Sequence, residues 1–248
     1  MSGDAKKSVA MVVGAGDFIG AAIAKKFARE GYVACIGRRH GDQLEPLAEE
    51  IRSAGGEAHP FTLDARQEEQ VVEVFGRIEE EIGPLEVVVF NVGANVNFPI
   101  RDTTARVFTK VWQMACLGGF LTGREAARHM VPRQKGTILF TGATASVRGG
   151  SGFAAFASAK FGLRALAQSM ARELGPENIH VAHMIIDAGV DTAWVREMIA
   201  KRLGADAELP PDSLVDPASI GAAYWFIHQQ PRDAWTFELD LRPAAEKW

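Results

Sequence analysis

A glycine-rich turn joins the first apolar run of this chain to its first helical pattern. Residues 12–20 read VVGAGDFIG, which contains G-x-G-x-x-x-G. Glycines at this spacing allow a tight turn, a close approach of the backbone to a pyrophosphate, and helix amides directed at the anion. Because the pattern lies between a predicted strand and a predicted helix, it favours dinucleotide binding over a purely structural turn. The candidate cofactor contacts in this turn are Gly14, Gly16, Phe18, Ile19 and Gly20.

Short β-type runs alternate with longer helical patterns along the whole chain. Several runs are continuously apolar, as expected of strands that are covered on both faces. Strand alternating with helix implies right-handed βαβ units and a parallel sheet. The sequence therefore predicts an α/β fold of Rossmann type: a doubly wound parallel sheet of about seven strands in a single domain, residues 1–248. The predicted strands are 8–13, 32–37, 58–63, 85–90, 136–141, 179–186 and 235–241, and the predicted helices are 19–30, 42–54, 66–82, 104–131, 153–174 and 217–229.

One segment, residues 188–216, interrupts this alternation. It follows the sixth predicted strand at the carboxyl edge of the sheet, where long insertions commonly cover ligands. Trp194, Met198 and Ile199 would give it an apolar underside. We predict a substrate lid here, and a plain surface excursion is the alternative.

The second predicted strand ends in IGRRH, at the position that decides ribose specificity. A cofactor with a free 2′-hydroxyl usually meets an Asp or Glu there. This chain has Arg38 and Arg39 instead. No carboxylate would repel a 2′-phosphate, and a guanidinium binds phosphate through paired hydrogen bonds. The arginines therefore favour NADP(H) over NAD(H), and two solvated loop arginines are the alternative.

The composition argues against several classes of function. The net charge of −4 is spread along the chain, whereas a nucleic-acid surface needs clustered Lys and Arg. No stretch approaches the ~20 apolar residues of a membrane span, and the N-terminus lacks the features of a secretory signal. Cys35 and Cys116 have no metal-type spacing partner and are predicted to be reduced and buried, as in a cytoplasmic protein. We therefore predict no metal site, no nucleic-acid partner and no membrane association.

These residues and three later motifs resemble the short-chain dehydrogenase/reductase family over nearly the whole chain. In TLDA, residues 62–65, Asp64 matches the family acid that contacts adenine, and Ala65 lies beside it. FNVGA, residues 90–94, resembles the family motif N-N-A-G. The resemblance implies cofactor contacts at Asp64, Ala65, Asn91 and Gly93.

The later motifs concern the nicotinamide end of the site. In GFAAFASAK, Lys160 matches the catalytic lysine, which in the family also bonds the nicotinamide ribose. DAGVDT, residues 187–192, stands where the family usually has P-G-x-V-x-T. Thr192 is kept as a candidate cofactor contact, while Asp187 and Ala188 replace the Pro-Gly pair.

The resemblance implies hydride transfer between nicotinamide and a carbonyl or alcohol carbon, with Asn, Ser, Tyr and Lys as the catalytic side chains. Here the first three positions fall on Cys116, Ala143 and Phe156, so that only Lys160 is retained. The Tyr hydroxyl transfers a proton and the Ser hydroxyl binds the substrate oxygen, which Phe and Ala cannot do. Losing a general acid costs roughly 10²–10⁴ in rate, and losing an oxyanion donor roughly 10²–10³. Ordinary carbonyl reduction is therefore predicted to be badly impaired.

Other side chains could supply part of this chemistry. Thr144, one residue from the Ser position, is the best candidate to orient a water or a substrate oxygen, and Thr141 and Ser146 lie on the same turn. Arg148 lies beside the expected pocket mouth, and His183 is predicted to be a satisfied core histidine. The candidate catalytic set is Lys160, Thr144 and Phe156.

Two functions remain open. The first is an NADP(H)-dependent oxidoreductase with an atypical active site, acting on an apolar small molecule in a pocket lined by Phe153, Phe156, Trp194 and Met198. The second is a catalytically impaired NADP-binding scaffold or sensor of the same fold. The two long predicted helices, 104–131 and 153–174, carry apolar faces wider than one sheet needs, which predicts a homodimer or homotetramer.

Overall fold

Seven parallel strands form one sheet in the part of the chain that the computed structural model describes, residues 7–204 and 210–245. The strands are β1 (Val9–Val13), β2 (Val33–Arg38), β3 (Glu57–Thr62), β4 (Leu85–Phe90), β5 (Gly136–Thr141), β6 (Ile179–Ile186) and β7 (Glu238–Leu241). Their order is β3-β2-β1-β4-β5-β6-β7, and each neighbouring pair is parallel. The order reverses between β1 and β4, which is where ligands bind in open α/β sheets.

Helices cover both faces of this sheet. They are α1 (Ile19–Arg29), α2 (Glu45–Ser53), α3 (Glu68–Arg77), α4 (Ala105–Trp112), α5 (Gly118–Met130), α6 (Ala154–Leu174), α7 (Ala193–Leu203) and α8 (Pro217–His228). Val12 packs in the core with side chains of α1, α2 and α8, whereas Met11 packs with those of α3, α5 and α6. Successive side chains of β1 thus enter opposite cores, which explains why its sequence is apolar throughout.

The predicted fold class is confirmed, and six of the seven predicted strands lie within one residue of the observed bounds. The exception is the last strand, predicted at 235–241. Trp235 stacks on His180 with ring centroids 4.8 Å apart, and the Thr236 amide donates to the Gln230 side chain at 2.7 Å. These contacts keep the first residues of the predicted strand out of the hydrogen-bonded sheet, so that β7 begins at Glu238.

The long helix predicted at 104–131 is interrupted. A π-helical turn, Gln113–Leu117, separates α4 from α5 and brings Ala115 and Cys116 into the interior. A Cβ at Gly119, just inside α5, would lie 2.4 Å from Leu163 Cδ1, so α5 packs very closely against α6. Another π-helical turn, Ile78–Ile82, follows α3.

Two further expectations concern the cysteines and the membrane. Cys35 and Cys116 are buried and unpaired, as predicted. Among the described residues, no helix is both long enough and apolar enough to cross a membrane.

Candidate cofactor and active site

The glycine turn shapes the floor of a groove at the carboxyl edge of the sheet. Gly14 has φ +88°, and a Cβ there would lie 2.8 Å from the Asn91 carbonyl oxygen. The Asn91 side chain donates to the Gly14 carbonyl at 3.0 Å, which joins the ends of β1 and β4. A Cβ at Gly20 would lie 2.5 Å from the same carbonyl, so α1 packs directly on the turn. Gly16, by contrast, faces open space, which leaves room for a pyrophosphate.

One end of the groove is a cavity of about 280 Å³ beside the end of β2. Arg38 lies in it, but its guanidinium is engaged by Asp17 at 3.2 Å and by Gln43 at 2.5 Å. Arg39 also lines the cavity, is exposed, and makes no hydrogen bond or ion pair with a described residue. A guanidinium is therefore available to a phosphate group at this end.

The acid predicted to contact adenine is itself paired. Asp64 accepts from Nε and Nη2 of Arg66, the latter at 2.5 Å, and this pair holds the pKa of Asp64 below its usual range. Asp64, Ala65 and Arg66 all line the same cavity. Sequence reasoning did not include Arg66, and its only signal was its position two residues after Asp64.

The other end of the groove is a cavity of about 370 Å³ between the ends of β1, β4, β5 and β6. It shares its wall with the first cavity at Gly14, Gly16 and residues 91–93, so the two form one continuous groove. Phe156 and Lys160 of α6 line this second cavity. The candidate cofactor residues that line it are Gly14, Gly16, Phe18, Ile19, Gly20, Asn91, Gly93 and Lys160.

Lys160 is held between two strand ends. Its Nζ donates to the Thr141 carbonyl at 2.8 Å and to the Val92 carbonyl at 3.3 Å, and the residue is only 3% exposed. Nζ lies 5.9 Å from the centre of the Phe156 ring. Burial lowers the pKa of Lys160 to about 8, and the nearby Cys116 opposes this shift.

The hydroxyls at the end of β5 and in the turn that follows it all have protein partners. The Thr141 hydroxyl pairs with the buried Tyr224 hydroxyl at 2.7 Å. The Thr144 hydroxyl donates to Asp187, and Ser146 Oγ accepts from the Ala143 amide at 3.1 Å. Asp187 is buried and also lies 3.0 Å from Nη1 of Arg242, a pairing between residues 55 positions apart that the sequence did not indicate.

His183 is fully buried on the α6 face of the sheet, as predicted for a core histidine. Its Nδ1 lies 3.0 Å from Glu238, which also pairs with Arg164 at 2.6 Å. Its Nε2 has no hydrogen-bond partner among the described residues, so that only half of the ring is satisfied. Burial lowers the pKa of His183 to about 4, which leaves the ring neutral near pH 7.

Several predicted site residues are not among those that line the two cavities. Thr192 is buried and accepts from the Val195 amide at 3.1 Å, as the N-cap of α7. Trp194 and Met198, predicted to line the pocket, are 58% and 49% exposed and do not line it. Phe153 does not line it either, so of the four predicted pocket residues only Phe156 does. The predicted lid, 188–216, contains α7 and a bridge between Val190 and Val215, while 205–209 lie outside the described residues.

The sequence comparison identifies the family. A family model described as short chain dehydrogenase matches residues 8–202. The chain belongs to the short-chain dehydrogenase/reductase family. A short-chain reductase protein of Streptomyces niveus is 30% identical over 240 residues, which cover 97% of this chain and 89% of that protein.

Solved structures of similar fold superpose over almost the entire chain. The crystal structure of a short-chain dehydrogenase from Rhodopseudomonas palustris is 54% identical, with a TM-score of 0.82, and covers 95% of this chain and 98% of its own. An alcohol dehydrogenase from the archaeon Thermococcus sibiricus, complexed with 5-hydroxy-NADP, is 26% identical with a TM-score of 0.82, and covers 97% of this chain and 99% of its own. The chain is therefore an oxidoreductase-family protein with a Rossmann-type nucleotide-binding fold.

The groove of this short-chain dehydrogenase/reductase fits a nicotinamide dinucleotide. The open space at Gly16 and the start of α1 suit the pyrophosphate. Arg39 lies at one end and Lys160 at the other. When bound, such a cofactor would supply a hydride, and the residues of the groove would hold it in position.

Proposed function

We propose that this chain is an NADP(H)-dependent oxidoreductase that transfers hydride to or from an apolar small molecule in an active site without the usual tyrosine. The observation that carries the proposal is the groove with a free guanidinium at one end and a buried ammonium at the other. Arg39 lines one cavity and Lys160 the other, and in the binding mode that we propose Arg39 contacts the 2′-phosphate and Lys160 the nicotinamide ribose.

The preference for NADP(H) depends on the charges around the first cavity. Arg38, Arg39 and Arg66 line it, and Asp64 is the one carboxylate among its described lining residues. Because Asp64 is paired with Arg66, the cavity remains positive and suits a 2′-phosphate. The archaeal relative complexed with 5-hydroxy-NADP supports this choice.

The apolar substrate is inferred from the second cavity. Ala143, Phe156, Ile186, Ala188 and Val190 are among the residues that line it. These side chains offer neither a donor nor an acceptor to a substrate. A substrate that needs little activation, such as one with a conjugated double bond or a diketone, fits this surface better than a simple alcohol.

Cofactor binding and turnover can be measured separately. Fluorescence titration with NADPH and NADH tests the first part, and we expect NADPH to bind at least ~10-fold tighter, because a charge-assisted hydrogen bond contributes about 1.5–3 kcal/mol. NADPH oxidation with acenaphthenequinone and with cyclohexanone tests the second part, and we expect turnover of the diketone well above that of the ketone. Equal binding of the two cofactors would contradict the NADP(H) preference, and absence of NADPH binding would contradict the whole proposal.

A catalytically impaired scaffold or sensor is the second candidate. It is favoured by the replacement of three catalytic positions with Cys116, Ala143 and Phe156. It predicts the same NADPH binding with no turnover of either carbonyl compound, even after the pocket is saturated. The turnover measurement therefore distinguishes the two proposed functions.

We also propose a homodimer or homotetramer. Four large apolar side chains of α4, α5 and α6 are about 40% exposed, and contact with a second copy of the chain would bury them. They are Phe108, Trp112, Phe120 and Phe161. Sedimentation equilibrium tests this proposal, and a monomer at micromolar concentration would contradict it.

The lid role of residues 188–216 remains a proposal, as do a cofactor contact at Thr192 and a cytoplasmic location. In the structure α7 exposes Trp194, so closure over a bound substrate would have to move this helix. Protection of Trp194 fluorescence from a soluble quencher on addition of NADPH and substrate would test the lid.

A further inference from the structure

The segment that follows β3 is fixed by hydrogen bonds to the start of α3. The Asp64 amide donates to the Gln70 side chain at 2.9 Å, and the Asp64 carbonyl accepts from the Gln67 amide at 2.9 Å. Gln67 is the N-cap of α3, and Gln70 belongs to that helix. The backbone at position 64 is therefore held in place, and the Asp64 and Arg66 side chains extend from it to the wall of the first cavity.

The Asp64 carboxylate has room for one more hydrogen-bond donor. Its Oδ1 accepts from the Arg66 amide at 3.1 Å and from Arg66 Nε at 2.9 Å. Its Oδ2 accepts from Nη2 at 2.5 Å and shares Nε at 3.2 Å. Because a carboxylate oxygen has two acceptor sites, Oδ2 can accept from a ligand in addition to Nη2.

The Arg66 guanidinium likewise has donors to spare. It carries five N–H bonds in a planar fork, and its side-on pair with Asp64 uses the Nε hydrogen and one Nη2 hydrogen. The other Nη2 hydrogen and both Nη1 hydrogens have no partner among the described residues. Oδ2 of Asp64 and Nη2 of Arg66 therefore present an acceptor and a donor side by side, 2.5 Å apart.

Adenine has the complementary arrangement. Its 6-amino group is a donor and lies next to a ring nitrogen that accepts. The guanidinium of Arg39, which we propose to bind the 2′-phosphate, lies close enough to lower the pKa of Asp64, although Arg66 is the larger cause of that shift. The phosphate contact and the Asp64–Arg66 pair are thus neighbours, as are the 2′-phosphate and the base on the adenosine ribose.

We propose that Arg66 binds the adenine base together with Asp64. In this contact Nη2 of Arg66 donates to a ring nitrogen of the base, and Oδ2 of Asp64 accepts from the 6-amino group. Arg66 also positions the carboxylate, since its side-on pair fixes the orientation of both oxygens. The inference deepens the proposed function and depends on it.

Fluorescence titration with NADPH and with its hypoxanthine analogue tests the inference without relying on turnover. The two ligands differ only at position 6 of the base, where the analogue has an oxygen instead of the amino group. That oxygen is an acceptor and would face the Asp64 carboxylate, so we expect the parent protein to bind NADPH at least ~10-fold tighter. Asp64→Asn supplies an amide that can donate to the oxygen, and the preference should fall below about threefold.

Arg66→Met tests the arginine itself. It keeps a long side chain but removes every N–H, so we expect NADPH to bind roughly 10-fold more weakly and the preference over the analogue to fall below about threefold. Arg124→Met is the matched control. It breaks a pair between Arg124 and Glu68 at the start of α3, and neither of these residues lines a cavity of the groove. The control should keep the parental preference, and urea denaturation shows whether both variants are folded.

Three results would overturn the inference. The first is equal binding of NADPH and the analogue by the parent protein, and the second is the parental preference in a folded Arg66→Met variant. The third is weaker binding of NADPH but not of NADH by Arg66→Met with the base preference intact, because the arginine would then bind the 2′-phosphate. Absence of NADPH binding by the parent protein would instead remove the proposed function, on which the inference depends.

Discussion

Nη1 of Arg242 lies 3.0 Å from Oδ2 of Asp187, so that the segment after β7 is tied to the end of β6. Asp187 is 4% exposed, and its other oxygen accepts from Thr144. Asp187→Asn keeps the acceptor for Thr144 but removes the charge that faces Arg242. We expect the free energy of unfolding to fall by about 2 kcal/mol, as measured by urea denaturation. Asp191→Asn, which breaks an exposed pair with Arg196, is the matched control and should leave stability unchanged.

The two arginines at the end of β2 should differ in their effect on cofactor binding. Arg39 is free to meet a 2′-phosphate, whereas Arg38 is engaged by Asp17 and Gln43. We expect Arg39→Ala to weaken NADPH binding roughly 10- to 100-fold and to leave NADH binding unchanged. Arg38→Ala should have the smaller effect. An equal loss of NADPH affinity in the two variants, or a similar loss of NADH affinity, would show that neither guanidinium binds the 2′-phosphate specifically.

Substitutions at two glycines of the turn should have different effects, one on stability and the other on NADPH binding. Gly14 has a left-handed backbone conformation, and a Cβ there would collide with the Asn91 backbone. Gly14→Ala should therefore lower the free energy of unfolding by about 1–3 kcal/mol. Gly16 faces open space, so Gly16→Ala should fold normally and bind NADPH poorly. Thermal unfolding and fluorescence titration measure the two effects. Normal NADPH affinity in Gly16→Ala would place the pyrophosphate elsewhere.

A tyrosine at position 156 should restore a conventional proton donor. Phe156 is 7% exposed, lines the cavity and lies close to Lys160. We expect Phe156→Tyr combined with Ala143→Ser to raise the rate of cyclohexanone reduction by roughly 10²-fold. Phe153→Tyr is the control, because Phe153 does not line the cavity. No gain in a folded, NADPH-binding double variant would mean that the rest of the pocket no longer accepts a ketone.

Acid should destabilise the protein through its buried histidines. Burial lowers the pKa of His183 and His228 to about 4, while an unfolded histidine titrates near 6.5. Between these values the unfolded chain binds more protons, so their contribution to stability is present above about pH 6.5 and is lost as the pH falls toward 4. We expect a loss of about 2 kcal/mol or more between pH 7 and pH 5. His228→Gln should reduce this loss, whereas a change at the exposed His40 should not.

The sheet could be predicted from the sequence because each strand is a local signal. Continuous apolar runs such as LEVVVF at 85–90 are buried on both faces, and their bounds follow from the residues themselves. The start of β7 depends instead on the stacking of Trp235 on His180, which joins residues 55 positions apart. The π-helical turn before α5 likewise has no local signal that we can identify.

The same division holds at the site. The glycine turn and Lys160 stand in motifs that can be read along the chain, and the structure places both on one groove. The hydrogen-bond partners of the site residues could not be predicted from motifs in the sequence. From the sequence, the Thr144 hydroxyl was expected to contact a water or a substrate oxygen. In the structure it donates instead to Asp187, which follows the end of β6. Whether a polar side chain is available to a ligand depends on such distant partners.

Gly142 has no side chain, and His183 fills the space that one would occupy. A Cβ at position 142 would lie 2.5 Å from His183 Nε2 and 2.9 Å from Ser146 Oγ. Any larger residue there would displace the imidazole from the interior. Protein engineers who wish to build a new oxyanion-binding group into this wall must therefore keep glycine at position 142 and start from position 143, which also lines the cavity.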